Sequence, residues 1–217
     1  MPWINNIWKK NSRNEKFTLE GCPQGKGLYL NHLQLFEINL NDLPPNLEEF
    51  SLGNNFFEKL NLIGLPQSLR ELYLSNNLLE KINLNSLPSS LRRLYLNHNH
   101  LKEINLSNLP QNLEELYLTC NQLKEIDLSN LPQSLRELYL DDNLLEQINL
   151  SNLPQSLQRL DLSYNQLKEI NLSDLPQSLL RLYLIGNQIE KVLGVKPKDC
   201  IIYDMNNCNF KSFKYIF

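Results

Sequence analysis

The chain is expected to fold as a solenoid of the α/β class, mostly β, on three observations. First, LRELYLSNNLLEKINLNSLPSS at residues 69–90 returns as LRRLYLNHNHLKEINLSNLPQN at 91 and LEELYLTCNQLKEIDLSNLPQS at 113. It returns again as LRELYLDDNLLEQINLSNLPQS at 135 and LQRLDLSYNQLKEINLSDLPQS at 157, a period of 22 residues without insertion or deletion. Self-similarity at such a period belongs to stacked units that cannot bury their apolar face alone. Second, leucines at positions 4 and 6 (Phe50 at position 4 of the second copy) alternate with period two, which marks a short strand with both side chains turned inward. Third, proline at position 20 pushes the leucine before it toward an extended backbone. The short return path has no room for a long helix, so the outer side is expected to be extended or to carry 3-10 turns.

Taken in order, residues 1–24 do not fit the period and are expected to form an N-terminal cap. Trp3, Ile4, Ile7 and Trp8 fall at three- and four-residue spacing, the mark of one face of a short helix. Phe17, Thr18 and Leu19 read as a short strand. A solenoid's first unit would otherwise expose its core, so an aromatic-rich start suits a cap. Eight repeats then span 25–199, opening at Gly25, Leu47, Leu69, Leu91, Leu113, Leu135, Leu157 and Leu179, the last one residue short. Over 200–217, Cys200, Tyr203, Met205, Cys208, Phe210, Phe213 and Tyr215 keep the apolar spacing but exchange leucine for larger side chains. This stretch reads as a closing cap in which Tyr203 takes the inward position 4.

Within a copy the apolar positions are 1, 4, 6, 11, 14, 16 and 19. Position 9 is asparagine in seven copies: Asn55, Asn77, Asn99, Asn121, Asn143, Asn165 and Asn187. An amide carries donors and an acceptor, so it can satisfy backbone groups left open where the chain turns inward. Leu33 and Cys208 replace it at the two ends of the stack, where one neighbour is missing.

LxxLxLxxNxL, repeated through residues 25–217, resembles the leucine-rich repeat signature. Its LPxxLxxLxL spacing is similar to the short repeats of secreted bacterial effectors, and the LPQSL start resembles the 22-residue FNIP repeats of slime moulds and giant viruses. The chain departs from FNIP where NNLLEKI stands in place of phenylalanine-asparagine, and from the effectors in repeat length. The resemblance implies a leucine-rich repeat horseshoe with a parallel sheet on its concave face, and a binding role.

Bulk numbers exclude several classes. A net charge of −3 gives no general attraction to nucleic acid or anionic membrane. Nothing approaches transmembrane length, and MPWINNIWKK lacks the apolar core of a secretory signal. Cys22, Cys120, Cys200 and Cys208 are scattered, as suits a reducing compartment. The expected location is cytoplasmic, either in the producing cell or in a host cell entered without a signal peptide.

Strand position 5 should surface on the concave sheet. It is occupied by Tyr29, Ser51, Tyr73, Tyr95, Tyr117, Tyr139, Asp161 and Tyr183. With strands about 4.8 Å apart, Tyr73 to Tyr139 should make a row of rings roughly 15 Å long. Such a row can stabilise the sheet by cross-strand stacking. It can also anchor a partner, because tyrosine is large, rigid and amphipathic. Position 3 beside it carries Glu71, Arg93, Glu115, Glu137, Arg159 and Arg181, whose neighbours often have opposite sign (Glu71 with Arg93, Arg93 with Glu115, Glu137 with Arg159). Such a self-paired face steers rather than supplies affinity.

Weaker constellations have ordinary structural explanations. Asp141, Asp142 and Asp161 on adjacent strands carry cation-binding oxygens, but aspartate is common in turns anyway. His98, His100 and Cys120 fall short of a zinc set. The N-L-S tripeptides at Asn105, Asn149 and Asn171 follow from the repeat's own phrase. No Ser/His/acid or Cys/His set recurs at one site, and Gly25-Lys26-Gly27 lacks the rest of a phosphate loop. The expectation is a protein that is not an enzyme, needs no cofactor and binds a protein or peptide on its concave face. Tyr29, Tyr73, Tyr95, Tyr117, Tyr139 and Tyr183 would be the contacts, with Arg93, Arg159, Arg181 and Asp161 beside them. The partner belongs either to a host, as for an effector, or to the producing cell, as for an adaptor. A nonprotein ligand such as a glycan is the alternative. The oligomeric state stays open.

Overall fold

The structure, a computed structural model, describes residues 8–11, 16–18, 26–41 and 43–204. Its spine is one nine-stranded parallel sheet built from position 3–5 tripeptides. In chain order the elements are β1 (Trp8–Asn11), β2 (Lys16–Thr18), β3 (Gly27–Tyr29), β4 (Leu35–Ile38), β5 (Glu49–Ser51), β6 (Glu71–Tyr73) and β7 (Arg93–Tyr95). There follow β8 (Glu115–Tyr117), β9 (Glu137–Tyr139), β10 (Arg159–Asp161), β11 (Glu169–Asn171), β12 (Arg181–Tyr183), β13 (Lys191–Leu193) and β14 (Ile201–Tyr203). The sheet order is β14-β12-β10-β9-β8-β7-β6-β5-β3, so each strand lies beside its counterpart in the next copy. The register between them is 22 residues, as in Leu72 opposite Leu94 and Tyr73 opposite Tyr95. Leucines at positions 1, 4, 6, 11, 16 and 19, with Phe50 and Phe57 in the second copy, form one continuous buried core behind that sheet, Leu87 alone of the position 19 leucines being half-buried among the described residues.

The return path is extended, with a single 3-10 turn at Leu172–Asp174 among the described residues. Two local devices shape it. At position 15 an Asx side chain accepts from the amide two residues on, as Asn83 Oδ1 does from Asn85 N (3.0 Å) and Asp127 Oδ1 from Ser129 N (2.9 Å). At the proline, the next copy's first leucine donates back to the proline carbonyl, as Leu91 N does to Pro88 O (3.1 Å). L-P-x-x-L is therefore a turn that delivers each chain segment to the start of the next strand.

Asparagine at position 9 joins copies to one another. Asn99 Nδ2 donates to Leu96 O of its own copy (3.0 Å) and to Leu74 O of the preceding one (3.1 Å). Its Oδ1 accepts from Leu79 N (3.1 Å), and the same arrangement repeats from Asn55 to Asn187. A second ladder, of serines at position 22, lies at the other end of the strand. Ser90, Ser134, Ser156 and Ser178 Oγ each donate to the first leucine carbonyl of their own copy (2.6–2.7 Å).

Two expectations are corrected. The helix over Trp3–Trp8 falls mostly outside the described residues, but Trp8 itself opens strand β1 rather than ending a helix. β1 pairs antiparallel with both β2 and β4, making a three-stranded sheet at the start of the stack. At the other end Tyr203 does not point inward. Cys200 takes the buried position 1, but Ile202 pairs with Leu182 and Tyr203 with Tyr183. The segment between Cys200 and the strand is one residue shorter than in other copies, and in a strand a one-residue slip turns every side chain to the opposite face. Met205, Cys208, Phe210, Phe213 and Tyr215 lie outside the described residues.

Candidate functional site

The outer face of the nine-stranded sheet carries a stack of rings. Tyr73 and Tyr95 lie 4.4 Å apart between ring centroids at an interplanar angle of 6°. Tyr95–Tyr117 and Tyr117–Tyr139 follow at 4.5 Å and 13°, and 4.5 Å and 9°. Parallel strands in register force this spacing, because each tyrosine repeats the previous one's position one strand further on. The rings are half-buried: their faces are used by one another, and their edges and hydroxyls are what the surface presents.

The hydroxyls are directed. Tyr117 Oη donates to Glu115 Oε2 (2.8 Å) and Tyr139 Oη to Glu137 Oε2 (2.5 Å), and Tyr73 makes the same bond to Glu71. These three rings thus lean along their own strands toward position 3. Burial, followed by donation to a carboxylate, pushes the Tyr73, Tyr117 and Tyr139 phenols above their ordinary value. Burial does the same for Tyr95, reinforced by the charges of Glu115 and Glu71. Arg93 has a shared role: its Nε bonds Glu115 Oε1 at 3.0 Å, and its Nη1 pairs with Glu71. Arg93 therefore joins three strands.

The row breaks at two places, and differently. At position 5 of the second copy Ser51 is buried, donating to Asn31 Oδ1 (2.6 Å). Tyr29 is consequently cut off from Tyr73; it is 58% exposed and its hydroxyl bonds Glu49. A Cβ on Gly27 would lie 2.8 Å from the Tyr29 ring, so the absent side chain there is what lets this ring lie down. At the other break Asp161 turns back to accept from Ser163 N (3.1 Å). Arg159 fills the gap, its guanidinium carbon 4.9 Å from the Tyr139 centroid and 4.7 Å from that of Tyr183. Arg159 Nε is buried with no hydrogen-bond partner, and no ion pair joins it to Glu137 among the described residues. The expected Glu137–Arg159 pair is replaced by a cation between two π faces. Beyond it, Tyr183 stacks on Tyr203 at 4.5 Å and 8°. Arg181, at the start of the same strand as Tyr183, is exposed.

The result is one stack, Tyr73–Tyr95–Tyr117–Tyr139–Arg159–Tyr183–Tyr203, with Tyr29 apart. Of these, Tyr203 escaped sequence reasoning, and Arg159 was expected beside the row, paired with Glu137, rather than within it. Arg159 was legible as the one arginine two residues before the one aspartate of the row, whereas Tyr203 was hidden by the register slip.

The acidic candidates are not assembled into a cation site. Asp141 Oδ1 accepts from Thr119 Oγ1 (2.7 Å), Asp161 is engaged by Ser163, and no group of three metal-ligating side chains converges among the described residues. Burial, with Asp161 and Asp142 adding to it, pushes the Asp141 carboxyl up. Position 8 has its own explanation. His32, Asn54, Asn76, His98, Cys120, Asp142 and Tyr164 all have φ between 52° and 57°, and Gly186 has 75°. These residues make the left-handed step that ends each strand, which Asn, Asp, His and Gly tolerate best. His98, Cys120 and Asp142 sit there for the turn.

The FNIP Repeat family matches residues 80–121 and 122–165, and the Leucine Rich Repeat family matches 68–89 and 156–177. Among curated proteins no sequence matches the chain. Among solved structures, YopM from Yersinia enterocolitica WA-314 is 35% identical with a TM-score of 0.70, covering 84% of this chain and 38% of its own. YopM from Yersinia pestis, described as a leucine-rich effector protein, is 36% identical with a TM-score of 0.62, covering 74% and 43%. InlJ from Listeria monocytogenes, 20% identical with a TM-score of 0.64, covers 81% and 43% and shares the fold. The chain thus spans about two fifths of the length of the YopM structures that it matches. No helix among the described residues is long and apolar enough to cross a membrane. With the 22-residue period, the parallel register and the asparagine ladder, these matches place the chain among the leucine-rich repeat proteins with FNIP-like repeats.

Proposed function

We propose that the chain is a protein-interaction module that takes a partner protein or peptide on the outer face of its nine-stranded sheet. The supporting observation is the ring stack from Tyr73 to Tyr203, which offers a long, rigid, amphipathic ridge. A stack already ordered in the free protein loses little side-chain freedom on binding, which favours affinity. Arg93 and the position 3 glutamates flank the ridge and set the orientation of a partner. The partner is a host protein met in a host cell's cytoplasm; the similarity to YopM, a leucine-rich effector protein, favours this over an adaptor acting in its own cell. The surface is a ridge without a closed, convergent set of reactive groups, which suits recognition rather than catalysis.

Affinity capture from host lysates tests the reading. The intact chain should retain a defined partner, and Tyr95→Ala combined with Tyr117→Ala should lose it while circular dichroism still shows a folded protein. Undiminished capture by the double variant would refute the ridge as the binding surface.

A further inference from the structure

The return face carries a second pattern that the tyrosine ridge does not explain. A groove of about 810 Å³ runs across the first four copies, floored by Ile38, Leu60, Ile82 and Ile104. It continues over Ile126 and Ile148 as a further groove of about 640 Å³. All six floor residues are half-buried at position 14 of their copies. Beside them, positions 12 and 13 are exposed and charged in the four central copies. Position 12 runs Glu58, Glu80, Lys102, Lys124, and position 13 runs Lys59, Lys81, Glu103, Glu125.

This order is poor for pairing within one solenoid. Neighbouring copies are about 4.8 Å apart, so an alternating row would give every charge an opposite neighbour. The blocks instead place Lys59 beside Lys81 and Glu103 beside Glu125. The ion pairs found along these rows lie where the sign changes, at Lys81–Glu103 and at Lys102–Glu80 (3.2 Å). Each row is, however, antisymmetric about the midpoint between the third and fourth copies. Rotation by 180° about an axis along the strand direction reverses the stacking order and keeps each position opposite itself. Lys59 then meets Glu125 of the second copy, Lys81 meets Glu103, Glu58 meets Lys124, and Glu80 meets Lys102. Both rows become complementary at once.

We propose that this face docks a second copy of the same chain as a two-fold, antiparallel dimer, with the position 14 side chains facing each other alongside the charged rows. Such isologous contacts need a self-complementary patch, which this pattern provides. Six copies give a strip roughly 25 Å long, small for a specific interface, so the dimer is weak and depends on concentration and salt. It leaves the tyrosine ridge free and does not depend on the function proposed for it.

Sedimentation velocity of the full chain over a concentration series tests the idea. The wild type should shift from monomer to dimer. Lys59→Glu with Lys81→Glu, or Glu103→Lys with Glu125→Lys, makes position 13 all of one sign, and each variant should associate at least about tenfold more weakly. An equimolar mixture of the two should regain dimer. The substituted side chains are exposed, so melting should change little; if either variant misfolds, position 12 reversed in the same way supplies an independent set. A monomeric wild type, unimpaired association of the variants, or no recovery on mixing would overturn the proposal.

Discussion

Asn99 bonds carbonyls in two copies and receives an amide from one of them. Its replacement by alanine strands buried backbone groups on both sides of a copy boundary. Asn99→Ala should therefore lose on the order of 3 kcal/mol in denaturant unfolding, whereas Asn76→Gly, exposed and left-handed at position 8, should lose far less. Asp141 is the converse case. Its carboxylate is held among Asp161, Asp142 and a burying surface, against which stand the bond from Thr119 and one from its own backbone amide. Asn97 occupies the same position of an earlier copy and receives the same kind of bond from Ser75. Asp141→Asn should keep the bond and remove the buried charge, raising stability at neutral pH. The sign follows from the raised pKa: the charged form is penalised in the folded state, and that penalty is relieved as pH falls through the folded pKa. The gain from Asp141→Asn should accordingly vanish in acid, which thermal melts at several pH values would show.

At the scale of the strand, the tyrosine stack and the arginine within it form one element. Arg159→Ala should remove the bridge between Tyr139 and Tyr183 and cost about 1 kcal/mol. Arg159→Lys should restore little of it, since an ammonium cannot lie flat against two rings. The stack also has an alkaline signature. Tyr73, Tyr117 and Tyr139 hold their protons above the ordinary tyrosine value. Their contribution is intact below about pH 10, the unfolded value, and is lost as pH rises from there through the folded value. Ultraviolet titration should show these phenols ionising later than free tyrosine, and Tyr117→Phe should make unfolding less sensitive to alkali.

Over the whole molecule, stability is a sum of copies and the boundaries between them. Deleting residues 113–134 removes one full period and brings Tyr95 beside Tyr139 and Arg93 beside Glu137, so the ridge and its charges close up again. The shortened protein should fold with a lower melting temperature. Removing 21 residues from the same place should abolish cooperative unfolding, because the slip would turn one block of leucines outward.

The period, the inward leucines, the asparagine ladder and the tyrosine row were all legible in the chain itself, because every copy places the same residue in the same surroundings and a local pattern becomes a global one. Where that regularity ends, the sequence stopped being sufficient. Trp8 joined a strand and Tyr203 moved to the ridge because the pairing of β1 with β2 and β4, and of β14 with β12, decided their places, and such partners leave no periodic trace. Arg159 entered the stack only because the rings one copy away on either side, Tyr139 and Tyr183, offered their faces where Asp161 stands in place of a tyrosine. Such contacts are set by three-dimensional distance, which the repeat predicts only while each copy has an identical neighbour on both sides.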